Sequence, residues 1–164
     1  MDSDGFEAWY RGEHSKLVNT LILVGGSVDA AREAADEAFA RAAARWPRVR
    51  DMDYPSAWTY RVALNVLRRT LRRRIRELDL ATSLAAMPAA SPPTAYLEVW
   101  EAVRTLAPQQ RAAIVLRYVA DLPEAEVAKV LGVSRGTVAS TLSRARAALA
   151  VELSDEPTST RGES

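Results

Sequence analysis

Apolar side chains recur every three or four positions along most of this chain, and no strand-like alternation persists anywhere. The pattern predicts helices only. A first helix spans roughly Phe6 to Leu23 and ends at Gly25-Gly26. A second begins near Ser27 or Val28 and runs to Trp46, where Pro47 stops it; its apolar side is Val28, Ala31, Ala35, Ala38, Phe39 and Ala42. After the loop PRVRDMDYP, Pro55 and Ser56 start a third helix that continues to about Leu78. Tyr60, Leu64, Leu67, Leu71, Ile75 and Leu78 mark its buried face, and Arg61, Asn65, Arg68, Arg72 and Arg76 step along the opposite side.

The clearest local signal lies between Leu122 and Leu149. Val127, Ala128 and Leu131 give a short helix one apolar stripe, and Gly132 takes the left-handed backbone angle that ends it. Ser134 occupies an N-cap position, with its hydroxyl set to accept from the Thr137 N–H. Val138, Leu142, Ala145 and Leu149 face inward, which turns Arg135, Gly136, Thr137, Ala139, Ser140, Ser143 and Arg144 outward. Helix, tight turn and an acid-free second helix are how a helix-turn-helix offers a recognition helix to the major groove. Ser134, Arg135, Gly136, Thr137, Ser140 and Arg144 are therefore the candidate duplex contacts, with Arg144 clamping backbone further along.

Composition narrows the chemistry. In 164 residues there is no cysteine, which excludes a disulfide framework, a thiolate metal site and a cysteine nucleophile. The single histidine, His14, reads as a solvated or packing residue and rules out a multi-histidine metal site. No cofactor, no metal and no enzymatic activity are expected. No apolar run reaches the roughly 20 residues a bilayer span requires, and MDSDGFEAWY lacks the order of a signal peptide, so a cytoplasmic location is expected.

A net charge of +1 conceals strong segregation. Seven arginines (61, 68, 69, 72, 73, 74, 76) fall between Arg61 and Arg76 with no acid among them. Asp29, Glu33, Asp36 and Glu37 cluster on the preceding helix. A guanidinium ladder containing one amide suits phosphates plus one base-edge contact. Just upstream lie Trp46, Tyr54, Trp58 and Tyr60, rings on which bases of an opened duplex could stack; Tyr60 reads better as a core anchor, and Trp58 suits either role.

The segment ATSLAAMPAASPPTA, residues 81 to 95, carries three prolines and no helical period. It divides an all-α chain into two small helical domains: residues 1–78, a flexible linker at 79–93, a helix-turn-helix domain at 94–153 and a frayed tail at 154–164.

Taken in order, DAAREAADEAFARAAARW, YPSAWTYRVALNVLRRTLRRR and LRYVADLPEAEVAKVLGVSRGTVASTLSRARAAL resemble a bacterial RNA polymerase sigma factor of the sigma-70 family, in the small extracytoplasmic-function group. The resemblance covers about residues 6 to 150. It implies that the first domain binds the clamp helices of the largest polymerase subunit and opens the −10 element. The second domain binds the flap of the other large subunit and reads the −35 element. Mapped onto this chain, Arg32, Glu33, Asp36, Glu37 and Arg41 would face polymerase. Asp53, Tyr54 and Trp58 would capture an extruded base, and Arg61, Asn65, Arg68, Arg69 and Arg72 would hold the −10 strand. Core polymerase, promoter DNA in double- and single-stranded form, and an anti-sigma factor are the implied partners.

Two departures stand out. Arg32, Glu33 and Asp36 replace the family's Glu-Asp pair and following glutamine, and Ala139, Thr141 and Ser143 stand where extra basic side chains are usual. Fewer cations imply a flatter salt dependence of −35 binding. Two other functions fit parts of the pattern. A stand-alone helix-turn-helix regulator would be dimeric, and a degenerate sigma-like protein would titrate an anti-sigma factor.

Overall fold

The computed structural model describes residues 3–80 and 97–154, and among them every regular element is helical: α1 (Ser3–Gly25), α2 (Val28–Ala44), α3 (Trp46–Val49), α4 (Pro55–Leu80), α5 (Leu97–Thr105), α6 (Pro108–Tyr118), α7 (Glu124–Leu131) and α8 (Arg135–Ser154). The all-α class follows the periodicity. Residues 81–95, read as a linker, and residues 155–164 of the tail lie outside the described residues.

In the first module α2 lies between α1 and α4. Its inner stripe is mostly alanine: Ala30, Ala31, Ala34, Ala35, Ala38 and Ala42 are buried along with Phe39, while Val28 is only half-buried. Small side chains let both neighbouring helices approach closely, so Leu17, Leu21, Tyr60, Leu64 and Leu67 fill the space between them. Truncating Leu64 to alanine would cost roughly 2–5 kcal/mol. The α1–α2 corner is tight: a Cβ on Gly25 would meet Leu67 Cδ2 at 3.0 Å, and Gly26 has φ +70°. Ser27 caps α2 by accepting from the Ala30 N–H at 3.2 Å.

Two expectations change here. The second helix does not run on to Trp46; it ends at Ala44, and Pro47 sits inside the first turn of the separate helix α3. A proline costs nothing in a first turn, where its missing N–H would have no partner anyway, so it starts an element here rather than ending one. Ile75 and Leu78 are not on the buried face: they are 57% and 39% exposed. Alongside α4, Gly25 stands level with Leu67 and Ser27 with Arg74, so the last turns outrun the corner that would cover them.

The two modules touch. α6 packs on α1 and α7 on α4, and one contiguous cluster of buried apolar side chains runs from Leu17 and Leu64 to Leu116, Val138 and Leu142.

Candidate nucleic-acid and polymerase interfaces

The helix-turn-helix forms for the local reasons its sequence suggests. Gly132 adopts φ 69°, ψ 34°, and its N–H and that of Val133 both donate to the Ala128 carbonyl, closing α7. Ser134 Oγ accepts from the Thr137 N–H at 3.1 Å and lies 2.8 Å from the Thr137 hydroxyl. Val138, Leu142 and Ala145 are buried; Ser134, Arg135, Gly136, Thr137, Ala139, Ser140, Ser143 and Arg144 are all exposed. No acid occupies the first turn of α8, leaving its orphan N–H groups and positive dipole end available to an anion. Thr141 turns inward and is buried, so of the uncharged positions Ala139, Thr141 and Ser143 only Ala139 and Ser143 lie on the exposed face of α8.

Spacing along α8 divides its arginines. Arg144, nine residues after Arg135, lies half a turn away on the far flank. Arg146, eleven residues on, returns to the side of Arg135, and its Nη1 donates to the Tyr118 hydroxyl at 2.8 Å. Sequence reasoning overlooked Arg146. The signal that could have found it is the three-turn interval from Arg135, whereas the α6 partner is a tertiary fact.

The loop before α4 and the outer face of that helix make the second candidate surface. Asp53, Tyr54, Arg61, Asn65 and Arg72 are exposed; Trp58 and Arg68 are half-buried. Tyr60 is a core anchor, 1% exposed. Burial pushes its phenol up to about 12, partly opposed by the nearby Thr20 hydroxyl, with Glu13 adding a small upward push. Neither the Tyr60 nor the Thr20 hydroxyl reaches hydrogen-bond geometry with a partner. Trp46 is likewise withdrawn from any stacking role: it is buried, with ring centroids 5.3 Å from Phe6 and 5.0 Å from Trp9.

On the outer face of α2, Arg32, Glu33, Asp36 and Glu37 are exposed, and Arg41 Nε donates to Glu37 at 2.8 Å. His14 packs between Tyr10 and Phe39 and reaches Asp36 at 4.0 Å. Glu33 is drawn toward α4: Thr70 Oγ1 donates to it at 3.4 Å, and Arg73 and Arg74 approach at 3.6 and 3.8 Å. Arg74 also donates to Ser27 Oγ at 3.0 Å, joining α4 to the cap of α2. Between the helices runs an open groove of about 730 Å³. The charged side chains lining it are Glu33, Asp36 and Glu37 from α2 and Arg69, Arg73 and Arg76 from α4.

The modules meet beside these surfaces. Lys129 on α7 hydrogen-bonds Glu126 at 2.8 Å, and that carboxylate, helped more weakly by Asp53 and Tyr54 of the loop before α4, raises the ammonium pKa. Among the described residues no group of three or more acidic or histidine side chains could hold a metal ion, and no helix is long and apolar enough to cross a membrane.

Residues 96–149 match the family described as Sigma-70, region 4. An RNA polymerase sigma-E factor of Streptomyces coelicolor is 32% identical over 152 residues, covering 90% of this chain and 85% of that protein. The ECF RNA polymerase sigma factor EcfG of Rhodopseudomonas palustris is 30% identical over 137 residues, covering 80% of this chain and 76% of its own length. In fold, the chain is similar to the Bartonella quintana sigma factor RpoE, solved in complex with the anti-sigma factor NepR: TM-score 0.75 at 22% identity, over 93% of this chain and 99% of that one. Similarity along nearly the whole chain, through both helical modules, makes this protein a member of the extracytoplasmic-function group of sigma-70-family RNA polymerase sigma factors.

Proposed function

We propose that this sigma factor binds core RNA polymerase through α2, reads the −35 duplex with the N-terminal half of α8, and captures and holds the −10 strand with the loop before α4 and that helix's outer face. The observation that supports the reading is one chain exposing two differently built surfaces, each chemically suited to nucleic acid. One is a Ser134-capped, acid-free helix start with Arg135, Thr137 and Ser140 exposed. The other is an exposed Arg61–Asn65–Arg72 stripe beside Tyr54 and half-buried Trp58. The first suits base edges in a major groove; the second suits phosphates and an unstacked base.

Division of labour follows from chemistry. Polymerase performs nucleotide transfer, so the subunit needs only binding energy, spent on melted rather than paired −10 DNA. A base extruded toward Tyr54 and Trp58 couples recognition to opening, because a stacked base cannot enter. The factor acts in the cytoplasm, where polymerase works, and an anti-sigma factor holds it inactive; the complex of RpoE with NepR supports that last element.

The test is reconstitution. Purified protein mixed with core polymerase is expected to give run-off transcripts from a subset of genomic fragments that core alone ignores. Failure to co-elute with active core at moderate salt would sink the reading. A dimer binding palindromic sites without polymerase would point to a stand-alone regulator instead.

A further inference from the structure

Resting on that reading, we propose that Arg69, Arg73 and Arg76 belong to the polymerase interface and not to the DNA interface. They form the basic wall of the groove between α2 and α4, and the occupant is a polymerase helix carrying acidic residues on one flank and basic residues on the other.

The arginine run divides by what each side chain lines. Arg69, Arg73 and Arg76 line the groove and Arg61, Arg68 and Arg72 do not, although by helical angle Arg76 stands only about 40° from Arg72. Residues 69, 73 and 76 follow intervals of four and three, a single stripe about 10 Å long. Arg72 sits about 100° around the helix from Arg73, on the flank shared with Arg61, Asn65 and Arg68. Across the groove stand Glu33, Asp36 and Glu37, spaced to face one way from α2, and Arg73 comes within 3.6 Å of Glu33. Three guanidiniums thus line the groove opposite three carboxylates, and the Arg73–Glu33 pair closes across it.

That arrangement disfavours nucleic acid. A phosphodiester entering the groove meets the α2 carboxylates, only part of whose charge is offset by Arg41 and Arg74, so repulsion from the α2 wall opposes the attraction from the α4 wall. Arg61 and Arg72 line no such acidic wall and keep their full attraction for phosphate. A helix of mixed charge gains from both walls at once, provided its acids face α4 and its bases face α2. Such patterning sets register and association rate and excludes wrongly oriented partners. It also accounts for an arginine run longer than one DNA-facing stripe can use.

The deciding variant is Arg69→Glu with Arg76→Glu, which leaves Arg73 and its contact to Glu33 in place; the comparison variant is Arg61→Ala with Arg72→Ala. Association of full-length protein with core polymerase is measured by fluorescence anisotropy. Promoter complexes are measured on a template with a pre-opened −10 bubble, at saturating sigma and several salt concentrations. The Arg69/Arg76 reversal is expected to weaken core association about tenfold, mainly through the on-rate, with an unchanged salt slope on the bubble template. Arg69→Lys with Arg76→Lys should restore association. The Arg61/Arg72 pair should do the reverse: normal core association and a slope lower by about 1.4, the loss of two single-strand phosphate contacts. Normal core association by the reversal variant, or a salt slope lowered by about that amount in it, overturns the inference while leaving the sigma assignment intact. If the unmutated protein fails to bind core, the inference falls together with the proposed function.

Discussion

Ser134 caps α8 and also borders the surface proposed to meet DNA, and two substitutions separate those roles. The first turn of α8 reads Arg135-Gly136-Thr137, with a glycine that costs about 1 kcal/mol in helix propensity and no acid to complement the helix dipole. Its order depends on the cap, where Ser134 Oγ accepts from the Thr137 N–H at 3.1 Å and meets the Thr137 hydroxyl at 2.8 Å. Ser134→Ala removes both contacts and should cost about 1 kcal/mol, lowering Tm by about 2–4 °C for a chain of this size. Binding to a −35 duplex should fall about fivefold, the same energy at 1.4 kcal/mol per decade, because Arg135 then starts from a frayed turn. Ser134→Asp caps equally well and adds a carboxylate at the positive end of the helix, so Tm should hold or rise. That carboxylate faces the phosphates, so affinity should fall tenfold or more. Melting by circular dichroism and holoenzyme binding to −35 duplexes read the two quantities independently. Unimpaired DNA binding by Ser134→Asp would refute the placement of this turn against DNA.

Other outcomes follow from the same geometry. Tyr60→Phe removes a buried hydroxyl without a partner and should raise Tm by about 2–4 °C. Because folding raises the Tyr60 pKa to about 12 from about 10, its neutral form contributes stability below pH 10. That contribution, about 2–3 kcal/mol, is lost as pH climbs from 10 through 12, and denaturant titrations across this range should show the loss in the parent and not in Tyr60→Phe. Arg135→Ala should erase most −35 sequence preference, whereas Ala139→Lys should strengthen binding to every sequence and steepen the salt slope by about 0.9; isotherms at several salt concentrations distinguish the two. In this cysteine-free chain, Lys129→Cys with Asp53→Cys allows α7 to be tied to the loop before α4 by a short bismaleimide. The tied protein should initiate less than the same variant capped singly at each thiol, which carries the same loss of the Asp53 carboxylate; equal run-off yields would show that the modules need not separate.

What was legible in the sequence is what short-range chemistry decides. Gly132 and Ser134 announce their helix ends because a left-handed C-cap and a hydroxyl N-cap involve only the next few residues. Tyr60, Leu64 and Leu67 read correctly as core because α1 and α2 lie against that stretch of α4. Ile75 and Leu78 continue the same period, but periodicity cannot say where the neighbouring helices stop, and they emerge exposed. Pro47 was misread as a helix stop for a related reason: a proline ends one helix or begins the next, and here it sits in the first turn of α3, with Trp46 buried against Phe6 and Trp9. Contacts bridging distant positions left no trace in the pattern. The Arg74 bond to Ser27 spans 47 residues and the Arg146 bond to Tyr118 spans 28, and each redirects an arginine that sequence alone would place in solvent.

The packing of α7 on α4 and α6 on α1 bears directly on how one chain could read two promoter elements. Elements centred about 25 base pairs apart are separated by about 85 Å along B-form DNA at 3.4 Å per base pair. A compact chain of 164 residues has a radius of gyration of about 15 Å and is about 40 Å across, too small to hold its readers that far apart. Residues 81–96, sixteen in number, can span at most about 55 Å, which together with the width of each module reaches the required distance. Simultaneous contact with both elements therefore requires the α4–α7 and α1–α6 contacts to break. The energy for that separation must come from polymerase and DNA, each of which would have to bind the open arrangement better than the closed one.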